Sequence, residues 1–154
     1  MIDLLQHLAR PGQPQTLYRE LELQLSKDIG FGLFTLLYAD GHEVARVYSS
    51  DENSYPVFGR KAMGPTPWGE KVLKNGQPFL GPDKAAIVWA FFDHELIFSL
   101  GLGAVINIPV VYNGETIGTM NLLDKEGAYT QAHLDKAAAY APLLIPAYLE
   151  ARRA

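Results

Sequence analysis

The chain contains no cysteine. Disulfides, thiolate nucleophiles, cysteine-ligated zinc and iron–sulfur clusters are therefore excluded together. A cysteine-free chain fits a reducing compartment, and a cytoplasmic protein is expected. The start, Met1-Ile2-Asp3-Leu4, has neither the basic nor the apolar region of a secretory signal. No apolar run is long enough to span a bilayer, so no membrane partner is expected. The longest run, around Ile29 to Ala39, has strand length and is broken by Gly30 and Gly32. Clustered cations are missing as well. The densest basic spots are Arg60-Lys61 and Arg152-Arg153, on a chain of formal net charge −4. Neutralised phosphates supply most nonspecific nucleic-acid affinity, so no nucleic-acid partner is expected.

Patterns that carry catalysis are equally scarce. No two of His7, His42, His94 and His133 share ligand spacing on one element. The consecutive Asp93-His94-Glu95 would point about 100° apart on a helix and cannot close on one ion unaided. No metal site is expected. There is no G-x-S-x-G elbow. Gly101-Leu102-Gly103 opens a dinucleotide-like glycine pattern, but position 106 is Ile, and the segment precedes a strand where the fingerprint follows one. Glu20/Glu22 and Asp51/Glu52 read as solvated surface. The expectation is a non-enzyme with no catalytic residue and no cofactor.

What remains is an ordinary globular balance, 48% apolar and 19% charged over 154 residues, which suits one domain spanning 1–154 and makes bulk disorder untenable. Leu4, Leu5 and Leu8 form a short helical stripe stopped by Arg10-Pro11-Gly12. Leu17, Leu21 and Leu25 recur every four residues from a start near Pro14. These helices occupy 1–30. Sheet and pocket are expected over 31–128. Phe31–Ala39 and Glu43–Ser49 read as strands around the Asp40-Gly41 turn signal. Thr66-Pro67 starts a helix as cap and first residue, and Pro78–Gly81 is a short strand. Within 83–102 the pattern predicts one short helix, near Phe92 to Leu100, with Phe91 and Phe92 in the core. Ala104–Tyr112 and Glu115–Leu123 flank an Asn113-Gly114 turn. A last helix over 129–152, capped by Thr130, is expected to bend at Pro142 and Pro146. Hairpins imply antiparallel pairing, and an antiparallel sheet with helices is an α+β architecture.

The stretch Leu100-Gly101, the apolar strand to Pro109, Asn113-Gly114, Ile117-Gly118 and the closing strand resembles the late part of a GAF domain. Ala128-Tyr129-Thr130 before the last helix and Thr66-Pro67-Trp68 before a mid-domain helix fit the same family. The resemblance implies a six-stranded antiparallel sheet. The N- and C-terminal helices would cover one face, and a roof of about residues 58–100 would enclose a ligand pocket on the other. It further implies a small-molecule sensor and a homodimer through the terminal helices. The alternative is a dimerisation or protein-interaction module whose pocket is filled by its own side chains. The enzymatic branch, the free methionine-R-sulfoxide reductases, uses cysteines and acidic residues. The acidic positions are matched here by Val105, Asn121 and Leu123, which speaks against that activity.

Residues for a ligand, possible anion included, follow from this frame. Asn107 and Asn121 interrupt apolar strands, and a buried amide must bond to something, either backbone or ligand. A simple two-residue turn would pair Ile106 with Asn121, so a face shared by the two asparagines requires a different loop or a bulge. Trp68 and Trp89 are either core rings or stacking platforms. Asp93 and His94 lie in the expected roof, as ligand contacts or, for Asp93, as a helix cap. Arg46 reads as a solvent-facing strand residue, with ligand contact the alternative. Arg60 and Lys61, at the expected rim, are the first candidates to meet an anion.

Overall fold

Leu17, Leu21 and Leu25 stand one helical turn apart, and all three are fully buried on the face of a helix that packs on a sheet. The computed structural model describes residues 2–153, so Met1 and Ala154 of the expected 1–154 domain lie outside the described residues. The chain begins with helices α1 (Ile2–Gln6), which runs into a 3-10 turn, and α2 (Gln15–Asp28). Strands β1 (Leu33–Asp40), β2 (Glu43–Ser49) and β3 (Lys61–Ala62) follow. Helix α3 (Pro67–Gly69) continues as a π-turn over Glu70–Lys74, and β4 (Phe79–Gly81) comes next. Helices α4 (Lys84–Ala90) and α5 (His94–Ser99) precede the hairpin of β5 (Ala104–Tyr112) and β6 (Glu115–Asp124). The chain closes with α6 (Gln131–Ala138), a 3-10 turn (Ala141–Leu144) and α7 (Ile145–Arg153). All strand pairs are antiparallel, in one six-stranded sheet ordered β3-β2-β1-β6-β5-β4. The α+β architecture expected from the hairpins and the family resemblance is the one observed.

Strand side chains alternate between two apolar layers. Phe34, Leu36, Ile106 and Leu122 join Leu17, Tyr18, Leu144 and Tyr148 of the terminal helices. Leu33, Val105 and Leu123 join Val72, Ile87 and Ile97 of the roof. No described helix is long and apolar enough to cross a membrane.

Three sequence expectations give way here. The single bent helix over 129–152 is instead three segments, because each proline sits in a first turn, where its missing N–H costs nothing. The stretch 83–102 holds two helices rather than one. Asp83 starts α4, its Oδ1 accepting from the Ala86 N–H at 3.0 Å, and Phe91 leaves the helix in extended conformation. Phe92 is not core: it is 99% exposed at the break between α4 and α5.

Two β-bulges decide which side chains face the roof. Asn113 (φ 54°) and Gly114 (φ 76°) both take the left-handed conformation that a two-residue hairpin turn needs. A bulge at Ile117 then shifts the register, and Asn107 pairs with Asn121. In β2, plain alternation would put Arg46 and Tyr48 on the same face. A bulge at Val47 pairs Arg46 with Leu37 and Tyr48 with Leu36, and separates them. Tyr48 packs against Tyr18 and Phe34 on the helix side, and Arg46 faces the roof.

Asp28, at the end of α2, ties that helix to α6. Its carboxylate accepts from the Tyr140 hydroxyl at 2.6 Å and stands 2.9 Å from the Lys136 ammonium. The Tyr140 bond, then Lys136, hold its pKa below the ordinary 3.8. A depressed carboxylate pKa contributes stability above the unfolded value, lost as pH falls through the folded one. Asp28→Asn is therefore expected to be less stable than the parent at neutral pH, and the two unfolding curves should converge as pH falls below the ordinary carboxylate range. A gap that persists in acid would mean the effect is not the carboxylate's charge.

Candidate ligand-binding site

Between the sheet and the roof lies a cavity of about 920 Å³. Its floor is the strand face whose β5–β6 register the Ile117 bulge sets. Thr35 of β1, Asn121 of β6 and Asn107 of β5 stand side by side in register, and all three are buried. They form a hydrogen-bonded relay. The Trp68 indole N–H donates to Asn107 Oδ1 at 2.9 Å. Asn107 Nδ2 donates to Asn121 Oδ1 at 2.8 Å, and Asn121 Nδ2 donates to the Thr35 carbonyl and hydroxyl at 3.3 Å each. An indole N–H can only donate. It therefore forces Asn107 to present its oxygen, which orients Asn121 in turn.

Trp68 is held in place by local chemistry. Thr66 Oγ1 accepts from the Gly69 N–H at 2.9 Å, and Pro67 occupies the first turn, as the sequence predicts. The π-turn that follows closes with the Asn75 N–H on the Glu70 carbonyl at 3.0 Å, a geometry frequent at functional sites.

The mouth carries the charge. Arg46 donates to the Pro56 carbonyl at 2.9 Å, and its guanidinium lies 4.9 Å from the ring centroids of both Tyr55 and Phe58. Burial lowers its pKa from the ordinary value, while Tyr55 and Asp93 oppose that shift. The Tyr55 hydroxyl donates to Asp93 Oδ2 at 2.5 Å. Burial, then this bond, push the Tyr55 pKa up, so it remains a donor. Asp93 stands at the N-cap position of α5 but makes no cap bond, because its carboxylate is turned to Tyr55.

The structure gathers seven of the nine sequence candidates around this cavity: Asn107, Asn121, Trp68, Trp89, Asp93, Lys61 and Arg46. Trp89 is half exposed at the rim, its ring tilted against that of Phe79 with centroids 5.4 Å apart. Arg60 and His94 are not among the lining residues. Lys61 of β3 lines the cavity, whereas Arg60, just before the strand, turns to the terminal helices. There Arg60 donates to the Ala151 carbonyl at 2.7 Å, packs on Tyr38, and sits 3.7 Å from Asp40. His94 packs on Phe98. Arg46, read as solvent-facing, is the larger correction: unbroken pairing from the β1–β2 turn sets it opposite Leu37, on the face that lines the cavity. Tyr55 and Thr35 were missed altogether. Tyr55 lies in a polar loop, and its importance arises from a contact across 38 positions of chain.

A family model described as GAF domain matches residues 15–143. Among solved structures, the GAF domain from a phosphoenolpyruvate-protein phosphotransferase (ptsP) of Coxiella burnetii superposes with TM-score 0.74 at 19% identity, covering 99% of this chain and 94% of that one. The A. aeolicus nlh2 GAF domain in an inactive state gives 0.73 at 16% identity, covering 98% and 93%. A type II free methionine-R-sulfoxide reductase from Thermoplasma acidophilum gives 0.66 at 17% identity, covering 88% and 92%. At such identities the likeness is one of fold. No curated protein matches in sequence.

Proposed function

Because this chain belongs to the GAF domain family, whose members are commonly sensor or ligand-binding domains of signalling proteins, we propose that it senses a small metabolite held in the roofed cavity. The observation that carries this reading is the cavity itself: an interior of about 920 Å³ with a polar floor whose side chains are already oriented. Ligand sites are typically concave and mostly apolar, with a few fixed polar groups. A module filled by its own side chains would have no such space. Signal output in this reading passes through a homodimer of the terminal helices, where Leu5 and Leu23 are about half exposed. A cytoplasmic setting accords with the cysteine-free chain. Thiol-based reduction is excluded by composition, and we read the domain as a binder rather than an enzyme.

The test is a thermal-shift panel of organic acids, amino acids, nucleotides and purine metabolites. A ligand present at about a hundred times its Kd adds about 2.7 kcal/mol of stability. The response should vanish in Asn121→Ala, on the cavity floor, and persist in Arg60→Ala, on the opposite face. Equal loss in both variants, or no response from protein free of co-purified ligand, would favour the interaction module.

A further inference from the structure

Arg46 is half-buried, and among the described residues no carboxylate lies within ion-pair distance of it. A guanidinium has five N–H donors, and the structure gives this one a single acceptor, the Pro56 carbonyl. Lys61 is likewise without an acidic partner among the described residues, its ammonium 4.3 Å from the Phe58 centroid. Two cations thus flank one ring, Arg46 from 4.9 Å and Lys61 from 4.3 Å, on the wall of a largely apolar cavity. Arg46 is half-buried and Lys61 exposed, so an anion at this mouth would supply the counter-charge that neither has.

Asp93 is the acid at this end, but Tyr55 takes its Oδ2 and it does not close on Arg46. Two cations against one carboxylate leave a single positive charge. A matching partner carries one negative charge, since a doubly charged group would also face Asp93. The planar guanidinium fork suits a planar carboxylate in two-point contact. Away from the mouth the cavity offers Trp68, Ile97, Leu33 and Leu123. We propose that the cavity takes an organic monocarboxylate, its charged end on Arg46 and Lys61 and its apolar body against Trp68 and the roof. This rests on the reading of the cavity as a ligand site.

The test compares 1-naphthylacetate with the neutral 1-naphthylacetamide, read by the Trp68 indole N–H resonance, which Trp89→Phe assigns. The acid is expected to bind at least about tenfold tighter than the amide, a difference of 1.4 kcal/mol. Arg46→Met, which keeps the apolar stem, should abolish that preference, and continued binding of the amide to the same variant reports an intact cavity. Lys61→Gln should reduce the preference without abolishing it. Equal binding of acid and amide to the parent, or a preference that survives Arg46→Met, would overturn the anion assignment while leaving the cavity as a ligand site. Tighter binding of 1-naphthyl phosphate than of the acid would overturn the single-charge count. No shift of the indole resonance with either compound at millimolar concentration would overturn the cavity reading and this proposal with it.

Discussion

Gly118→Ala is expected to destabilise the fold by about 3 kcal/mol, at the upper end of the usual range for overpacking a core. Gly118 lies in β6 with its missing side chain directed at α7. A methyl group there would stand 2.4 Å from the Leu37 carbonyl oxygen of the neighbouring strand and 2.4 Å from the Tyr148 ring. The ring belongs to a fully buried tyrosine whose hydroxyl donates to the Thr119 carbonyl at 2.9 Å, so it has nowhere to swing. The carbonyl belongs to backbone in the centre of the sheet, and moving it disturbs the β1–β6 pairing itself. For a domain of this size each kcal/mol shifts the melting temperature by about 2–4 °C, so the drop should be about 6–12 °C. Differential scanning calorimetry checks it. Adding Tyr148→Leu should recover only the share due to the ring, because the carbonyl clash remains. A loss under about 1 kcal/mol would mean that β6 and α7 do not approach as closely as the structure has them.

The same glycine shows what was legible in the chain. Ile117-Gly118 belongs to the pattern by which the late hairpin resembles a GAF domain, and that pattern, with Asn113-Gly114, was enough for fold class, sheet and pocket side. Turn chemistry is local: two adjacent residues at positive φ announce a hairpin wherever they occur. Register is not local. It took a bulge at Ile117 to bring Asn107 opposite Asn121, and the residue pattern could say only that a shared face would need a bulge or a different loop. The cations show the same limit. Arg60 and Lys61 are adjacent, yet β3 begins at Lys61, and which of the two enters the cavity depends on where the chain joins β2. Arg46 follows the β1–β2 pairing from the turn, but that this face is the roofed one depends on the rest of the sheet. The roof was hardest because an aromatic-rich stretch is ambiguous between core and rim. Phe91 is half-buried where the chain turns in, and its neighbour Phe92 is left in solvent.

Breaking the floor relay in the middle should be more damaging than removing it. Asn107→Ala leaves the Trp68 N–H without its acceptor and Asn121 Oδ1 without its donor. Each unpaired buried group costs about 1–3 kcal/mol, less where cavity water substitutes, so a net loss of about 2–4 kcal/mol is expected. Trp68→Phe should cost less, since it removes the donor along with its demand, but it also frees both amides to reorient. The two changes should therefore be strongly non-additive, with a coupling of about 0.5–3 kcal/mol in a double-mutant cycle. The triple variant Trp68→Phe, Asn107→Leu, Asn121→Leu replaces polar chain by apolar chain, so the Trp68, Asn107 and Asn121 groups leave no orphan among themselves and the loss is confined to the donor to Thr35 at the end of the relay. Its denaturation midpoint should lie above that of Asn107→Ala, while its response to any ligand found in the thermal panel should be gone. Stability and binding would then separate on the same three positions, as they must if the relay is there to hold fixed donors and acceptors toward the cavity. A triple variant no more stable than Asn107→Ala would instead make these side chains part of the packing, and the ligand would have to be held elsewhere.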